Sequence, residues 1–321
     1  MIIKLFQIIP PNTKIDFFGH RLYAFMASLV IIGGSFTCIA VKGLNFGIDF
    51  TGGTVIEIQV PVDPDLASLR KHLNELGLGE VSLQEFGAPR DLLIRLPQQD
   101  GGPEAQQAAT QKVHEAMDAD FSKTGTVDYR RTEFVGPQVG KELKKAGLLA
   151  ILTAMGGIMA YIWFRFKWQY GIGAMLALIH DVVGILGLFS LTQMHFDLST
   201  LAAILLVAGY SINETVIIFD RVRETLRKYK KMAMEQIINY SINSTLPRTL
   251  MTSGSTLLAL FALWMFGGEV IRSFVSALFI GILIGTHSSY FVSTPSLYYL
   301  KLRPDPDGSN AGAESAKTKA A

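Results

Sequence analysis

A carboxyl group sits inside an apolar helix-length run. Glu214 lies in Gly209-Tyr210-Ser211-Ile212-Asn213-Glu214-Thr215-Val216-Ile217-Ile218-Phe219-Asp220-Arg221, downstream of the almost wholly hydrophobic Leu198–Val207. A second acid, Asp181, follows His180 in the preceding apolar segment. A charge at the centre of a bilayer costs at least about 2.5–3.5 kcal/mol on insertion scales, so such groups face a protein interior and mark ion or proton paths. Two carboxyls on neighbouring spans predict a relay. A desolvated carboxyl holds its proton more tightly and an approaching guanidinium loosens it, so alternation between the two environments would load and release a proton. Arg248, heading the next apolar run, is the candidate guanidinium, with Asn213 and His180 as polar neighbours of the acids. The competing readings are a static Glu214–Arg248 pair that only fixes packing, and a packing hydrogen bond for His180. His287 has no acidic neighbour in the sequence and is read as structural.

The elements that must position these groups are membrane spans. The chain has 321 residues, 49% of them hydrophobic and 17% charged, against about 25% charged in soluble domains; its mean hydropathy is +0.32. A net charge of +2 is too small to suggest nucleic acid. One cysteine, Cys38, excludes an intrachain disulfide and is read as a packing residue. Six runs approach the roughly 20 apolar residues a bilayer requires: Leu22–Val41, Ala146–Phe164, Tyr170–Leu191, Leu198–Phe219, Leu250–Phe266 and Phe274–Leu300. The first is a full-length span with no Ala-x-Ala site after it, which argues against a cleaved signal peptide. Lys4, Lys14, Arg21, Arg165, Lys167 and the basic stretch from Arg221 to Arg248 place both termini in the cytoplasm, against Lys141, Lys144 and Lys145. Gly156-Gly157, Gly184 with Gly187, and Gly281 with Gly285 permit close helix approach.

Residues 42–142 form the extracytoplasmic part. Thr54–Val60 alternates apolar and polar residues and reads as a strand, as do Val81–Phe86, Asp91–Leu96 and Thr126–Phe134. Asp65–Leu76, with Asp65 as a cap, and Pro103–Phe121 read as helices. The order β-α-β-β-α-β is the ferredoxin-like α+β pattern. The domain holds no catalytic constellation, and His72 and His114 read as surface residues. Gly136-Pro137-Gln138-Val139-Gly140-Lys141-Glu142 is one residue short of a P-loop and lacks its final Ser or Thr, so ATP hydrolysis is not expected. The expectation is a chain that is not an enzyme, with no cofactor and no metal.

Several of these segments together resemble the SecF family of bacterial protein-export subunits. They are Phe46-Gly47-Ile48-Asp49-Phe50-Thr51-Gly52-Gly53 after the first span, Val135–Gly140 before the second, His180-Asp181 in the third, the Glu214 run in the fourth, and Thr245-Leu246-Pro247-Arg248-Thr249 before the fifth. The resemblance implies pairing with SecD into a twelve-span assembly akin to RND transporters, of which this chain is an RND-like half. It implies association with the SecYEG channel, with YajC and YidC as further partners, exported preproteins as clients, and drive from the proton or sodium motive force. The family's usual aspartate in the fourth span is Glu214 here, a carboxyl one methylene longer. The relay set is then Glu214, Asp181, Arg248, Asn213 and His180, with Asp49, Gly52 and Gly53 as a turn coupling the first span to the outer domain. The face bearing Asp181 and Glu214 is expected to be covered by SecD helices. Half of a small-molecule RND-type exporter, and a purely structural assembly subunit, are the alternatives.

The expected division is a cytoplasmic segment 1–21, a first transmembrane helix 22–41, the periplasmic domain 42–142, a five-helix bundle 143–300 and a disordered cytoplasmic tail 301–321, all in the bacterial inner membrane.

Overall fold

Apolar runs of this length can satisfy their backbone in lipid only as helices, and among the described residues six helices carry windows apolar enough to cross a membrane. They are α1 (Arg21–Lys42), α5 (Pro137–Arg165), α6 (Trp168–Thr192), α7 (Leu198–Lys228), α8 (Met234–Phe266) and α9 (Arg272–Ser288), the last continued by a π-helical turn (Ser289–Ser293) and α10 (Thr294–Tyr299). This computed structural model describes residues 13–86, 88–268 and 271–302. Residues 1–12 with Lys4, Gly87 and the tail from 303 lie outside the described residues.

Three spans run beyond their apolar cores. α5 starts at Pro137 rather than Ala146, with Gly136 as its cap and Pro137 at the first position, where a missing N–H costs nothing. α7 continues to Lys228 and α8 begins at Met234, with Pro247 inside the helix. The early part of α8 packs Ile237, Ile238, Ile242 and Leu246 into a core with Phe17, Phe18, Ile218, Phe219 and Val222. Asn239 and Asn243 then hold the segment before α1: Asn239 Oδ1 accepts from Phe18 N at 2.8 Å and Asn243 Oδ1 accepts from Ile15 N at 2.9 Å.

Between α1 and α5 lies the α+β domain. A short helix, α2 (Ile48–Thr51), leads into β1 (Gly53–Gln59), α3 (Leu66–Glu75), β2 (Ser82–Phe86), β3 (Ala88–Pro97), α4 (Gly102–Phe121) and β4 (Asp128–Val135). The sheet order is β2-β3-β1-β4, every pair antiparallel, which is the ferredoxin-like arrangement. Ile56 pairs with Ile94 and Ile58 with Leu92 across β1 and β3; on that face α3 sets Leu69 and Leu73, and α4 sets Val113, Met117 and Phe121. Asp65 caps α3 by accepting from Ala67 N and Ser68 N. His72 pairs with Asp120 at 2.9 Å. His114 is not a free surface histidine: its ring packs at a tilt against Tyr129, centres 4.1 Å apart, and burial holds its imidazole below the ordinary value with Asp118 opposing.

The bundle is layered. In α6, α7 and the α9–α10 stretch, 61%, 50% and 56% of the apolar window is buried within this chain, against 11% in α1, 11% in α5 and 17% in α8. Small residues set the inner spacing. Gly187 faces Ser35 of α1, Gly184 faces Ile284 and Ile31, Gly281 faces Val207, and Gly285 faces Ser211 and Asp181. Gly156 and Gly157, expected to serve the same purpose, have nothing within 4 Å.

Candidate ion-relay site

The central layer places both acids in one polar strip. Asp181, on α6, is 0% exposed and Glu214, on α7, is 5% exposed. Ser211 Oγ donates to Asp181 Oδ2 at 2.5 Å, and Glu214 follows Ser211 by three residues, one helical turn along the same face of α7. Gly285 of α9 makes this approach possible: a Cβ there would stand 3.1 Å from Ser211 Cβ and Oγ and 3.5 Å from Asp181 Oδ2.

α8 and α9 supply the groups around Glu214. Thr286 Oγ1 donates to Glu214 Oε2 at 3.1 Å and lies 3.4 Å from Ser253 Oγ, to which Tyr210 OH donates at 3.2 Å. Thr249 and Tyr290 also face the carboxyl. Glu214 Oε1 and Tyr290 OH are nevertheless buried without a well-formed hydrogen bond. Burying a polar atom without a well-formed hydrogen bond is costly. Tyr290 stands in the π-helical turn, whose wider loop lets Thr294 Oγ1 donate to Ser289 O at 2.7 Å, while Ser289 Oγ meets Thr215 Oγ1 at 2.8 Å. Such turns recur at functional sites.

A second limb leaves Asp181 toward α1. His180 Nδ1 is 3.3 Å from Asp181 Oδ1, its ring lies 5.9 Å from that of His287, and His287 Nε2 is 3.1 Å from Ser28 Oγ. His180 Nε2 is buried without a partner. His287, read from the sequence as lacking an acidic neighbour, therefore lies beside His180, which in turn neighbours Asp181.

Two expected members of the relay face elsewhere. Arg248 is exposed, and no ion pair joins it to Glu214; its neighbour Thr249 turns inward instead. The static Glu214–Arg248 pair is therefore absent, because one step along α8 rotates a side chain by about 100°. Asn213 is likewise exposed on the far side of α7 from Ser211. Nor are Asp181 and Glu214 on an outer face awaiting a partner's cover: this chain buries both by itself.

The glycine turn joins the outer domain to the central helices. Asp49 Oδ2 accepts from Leu198 N at 3.0 Å, satisfying one of the orphan donors at the start of α7. Gly47 N donates to Phe196 O and Phe196 N to Asn45 O, both at 2.8 Å, so the loop before α7 is stitched to the segment before β1. Gly52 and Gly53 have φ of +80 and +133, and a Cβ on Gly53 would collide with Leu96 O. Gly140 packs on Phe50 O and Gly52 N, so the glycine of the P-loop-like stretch admits a close backbone contact. Arg95 reaches the same junction; burial lowers its guanidinium from the ordinary value, with Asp197 and Asp49 opposing.

Sequence reasoning passed over Ser211, Thr249, Ser253, Thr286 and Tyr290. A signal was there: Ser288-Ser289-Tyr290, Ser293-Thr294 and Ser296 interrupt the last apolar run, and Thr249 adjoins Arg248.

Residues 115–303 match the family described as "Protein export membrane protein SecD/SecF, C-terminal", and residues 39–60 match the "SecD/SecF GG Motif". The "Protein translocase subunit SecF" of Rickettsia bellii is 44% identical over 297 residues, covering 92% of this chain and 97% of that protein. Its counterpart in Rickettsia akari is 45% identical over 299 residues, covering 92% and 95%. Among solved structures, SecDF from Thermus thermophilus, titled a translocon-associated membrane protein, matches with a TM-score of 0.78 at 32% identity over 92% of this chain. The present chain spans 40% of the length of that SecDF chain.

Proposed function

This chain belongs to the SecF proteins of the SecD/SecF family, membrane subunits of protein export, and we propose that it couples an ion gradient to that export. In this reading Asp181 and Glu214 carry the proton or sodium ion, Ser211, Thr286 and Tyr290 shape their surroundings, and helix movement alters access to them. The observation that carries it is the burial of two carboxyls in one strip, with Glu214 surrounded by the hydroxyls of Thr249, Thr286 and Tyr290. The Asp49 contact with the start of α7 is the route by which a shift of that helix reaches the outer domain.

SecD is the proposed partner, and SecYEG the channel the pair assists as preproteins emerge. Asn213 and Arg248 support a partner helix, being exposed beside buried neighbours at the level of Glu214, and polar groups at that depth require company. They act there at an interface rather than against Glu214. In this reading both termini are cytoplasmic and residues 42–142 periplasmic, an orientation that the basic loops support.

The test is preprotein translocation into inverted vesicles with and without an imposed proton or sodium gradient. Glu214→Gln keeps volume and hydrogen-bonding capacity but cannot titrate, so it is expected to assemble normally and lose the gradient-dependent increment. Glu214→Asp should retain much of it. Full stimulation of Glu214→Gln vesicles at normal protein levels would leave Glu214 a packing residue.

A further inference from the structure

The turn between α5 and α6 marks one surface of the membrane. Tyr161, Trp163, Phe164 and Trp168 are exposed around it, as aromatic side chains are at headgroup depth. Beside this collar, Arg165 of α5 and Asp220, Arg223, Glu224, Arg227 and Lys228 of α7 line an open cleft of about 530 Å³. Its two carboxylates are already engaged: Asp220 lies 3.7 Å from Arg165 Nη2, and Glu224 lies 2.6 Å from Arg221 Nη1. Among the described residues, Arg223, Arg227 and Lys228 have no carboxylate within ion-pair distance. Arg223 and Arg227 share a face of α7, one turn apart. The guanidiniums of Arg165 and Arg223 lie against the buried Phe166 ring at 5.1 and 6.0 Å, which holds them in place before any ligand arrives. Elsewhere round α5, about a third to half a turn from Arg165, Leu148, Leu149 and Leu152 are exposed.

We propose that this cleft is a binding site for an anionic phospholipid, its phosphodiester held by Arg223, Arg227 and Lys228 and its acyl chains entering the membrane beside the aromatic collar. Guanidinium pairs suit phosphate oxygens because their N–H groups form a planar fork. The position of this unpaired basic cleft beside an exposed aromatic collar at headgroup depth favours a lipid over a soluble anion, which would have no use for the collar. The proposal does not depend on the export reading, nor on which side of the membrane the cleft faces.

The test uses the full chain in phosphatidylcholine vesicles, with Trp264→Phe so that only Trp163 and Trp168 report. Brominated phosphatidylglycerol should quench these tryptophans at a lower mole fraction than brominated phosphatidylcholine, and salt should reduce the difference. Arg223→Gln with Arg227→Gln should lower the preference by about fivefold per charge removed. Lys230→Gln with Lys231→Gln, the same charge change outside the cleft, should leave it intact. Equal quenching by both lipids, or equal loss in the two double variants, would overturn the site. Displacement of the bromolipid by excess inorganic phosphate would make it a soluble-anion site and overturn the lipid assignment.

Discussion

Replacing Gly281 by Ala should damage the proposed relay from a position that touches neither carboxyl. An added Cβ would stand 2.5 Å from Val207 Cγ2, 2.9 Å from Val207 Cγ1 and 3.0 Å from Ile185 Cδ1. Carbon contacts are favourable at about 3.5–4.0 Å, so α9 must withdraw from α7 by about 1 Å. That displacement would stretch the Thr286–Glu214 hydrogen bond, now 3.1 Å, beyond hydrogen-bond range. Overpacking of this kind costs about 1–3 kcal/mol. Val207→Ala removes both clashing methyl groups, at a cost of about 2 kcal/mol for the void it leaves alone. Combined, the two changes should destabilise by less than their separate effects would give together, with a coupling of about 1–2 kcal/mol. Chemical unfolding of the detergent-solubilised chain measures the four corners of the cycle, and gradient-driven translocation should be lost in Gly281→Ala and partly regained in the pair. Additive energies, within about 0.5 kcal/mol, or a fully active Gly281→Ala, would refute the claim that α7–α9 spacing holds Thr286 on Glu214.

Ser211→Ala should leave Asp181 Oδ2 without its 2.5 Å donor, costing about 1–3 kcal/mol in unfolding measurements and weakening the gradient response; unchanged stability and export would exclude a role for that contact. Asp49→Ala should lose the acceptor at the start of α7, about 0.5–2 kcal/mol by analogy with other caps, with faster hydrogen exchange at Leu198, whereas Asp49→Asn should remain close to the parent. For topology, Gln107→Cys, chosen because Gln106 is buried and bonded to Thr54, should react with an impermeant thiol reagent in intact spheroplasts of a Cys38→Ser strain. Lys230→Cys should not, and the reverse pattern would invert the proposed orientation.

Long apolar runs and the β-α-β-β-α-β pattern were legible because they rest on local properties. A segment of about 20 apolar residues has few alternatives to a helix in lipid, and the alternation of Thr54–Val60 orients a strand whatever surrounds it. The presence of Glu214 and Asp181 within such runs marked the site from composition alone. Span ends were not legible. α7 and α8 continue as amphipathic helices packed on Phe17 and Phe18, and that support comes from distant sequence.

Which side chains meet the acids was decided by tertiary structure. Helical rotation separates Thr249 from Arg248 and Glu214 from Asn213, and only the packing of α8 and α9 on α7 determines which of each pair turns inward. A charge such as Arg248 draws attention in a sequence, yet it is the smaller hydroxyls of Ser211, Thr249 and Thr286 that fit between helices brought close by Gly281 and Gly285. The π-helical turn that carries Tyr290 also arises from that packing, since a run of Ser and Thr does not by itself widen a helix. The sequence therefore determined that two carboxyls are buried in the membrane, while the distances between helices determined what they can touch.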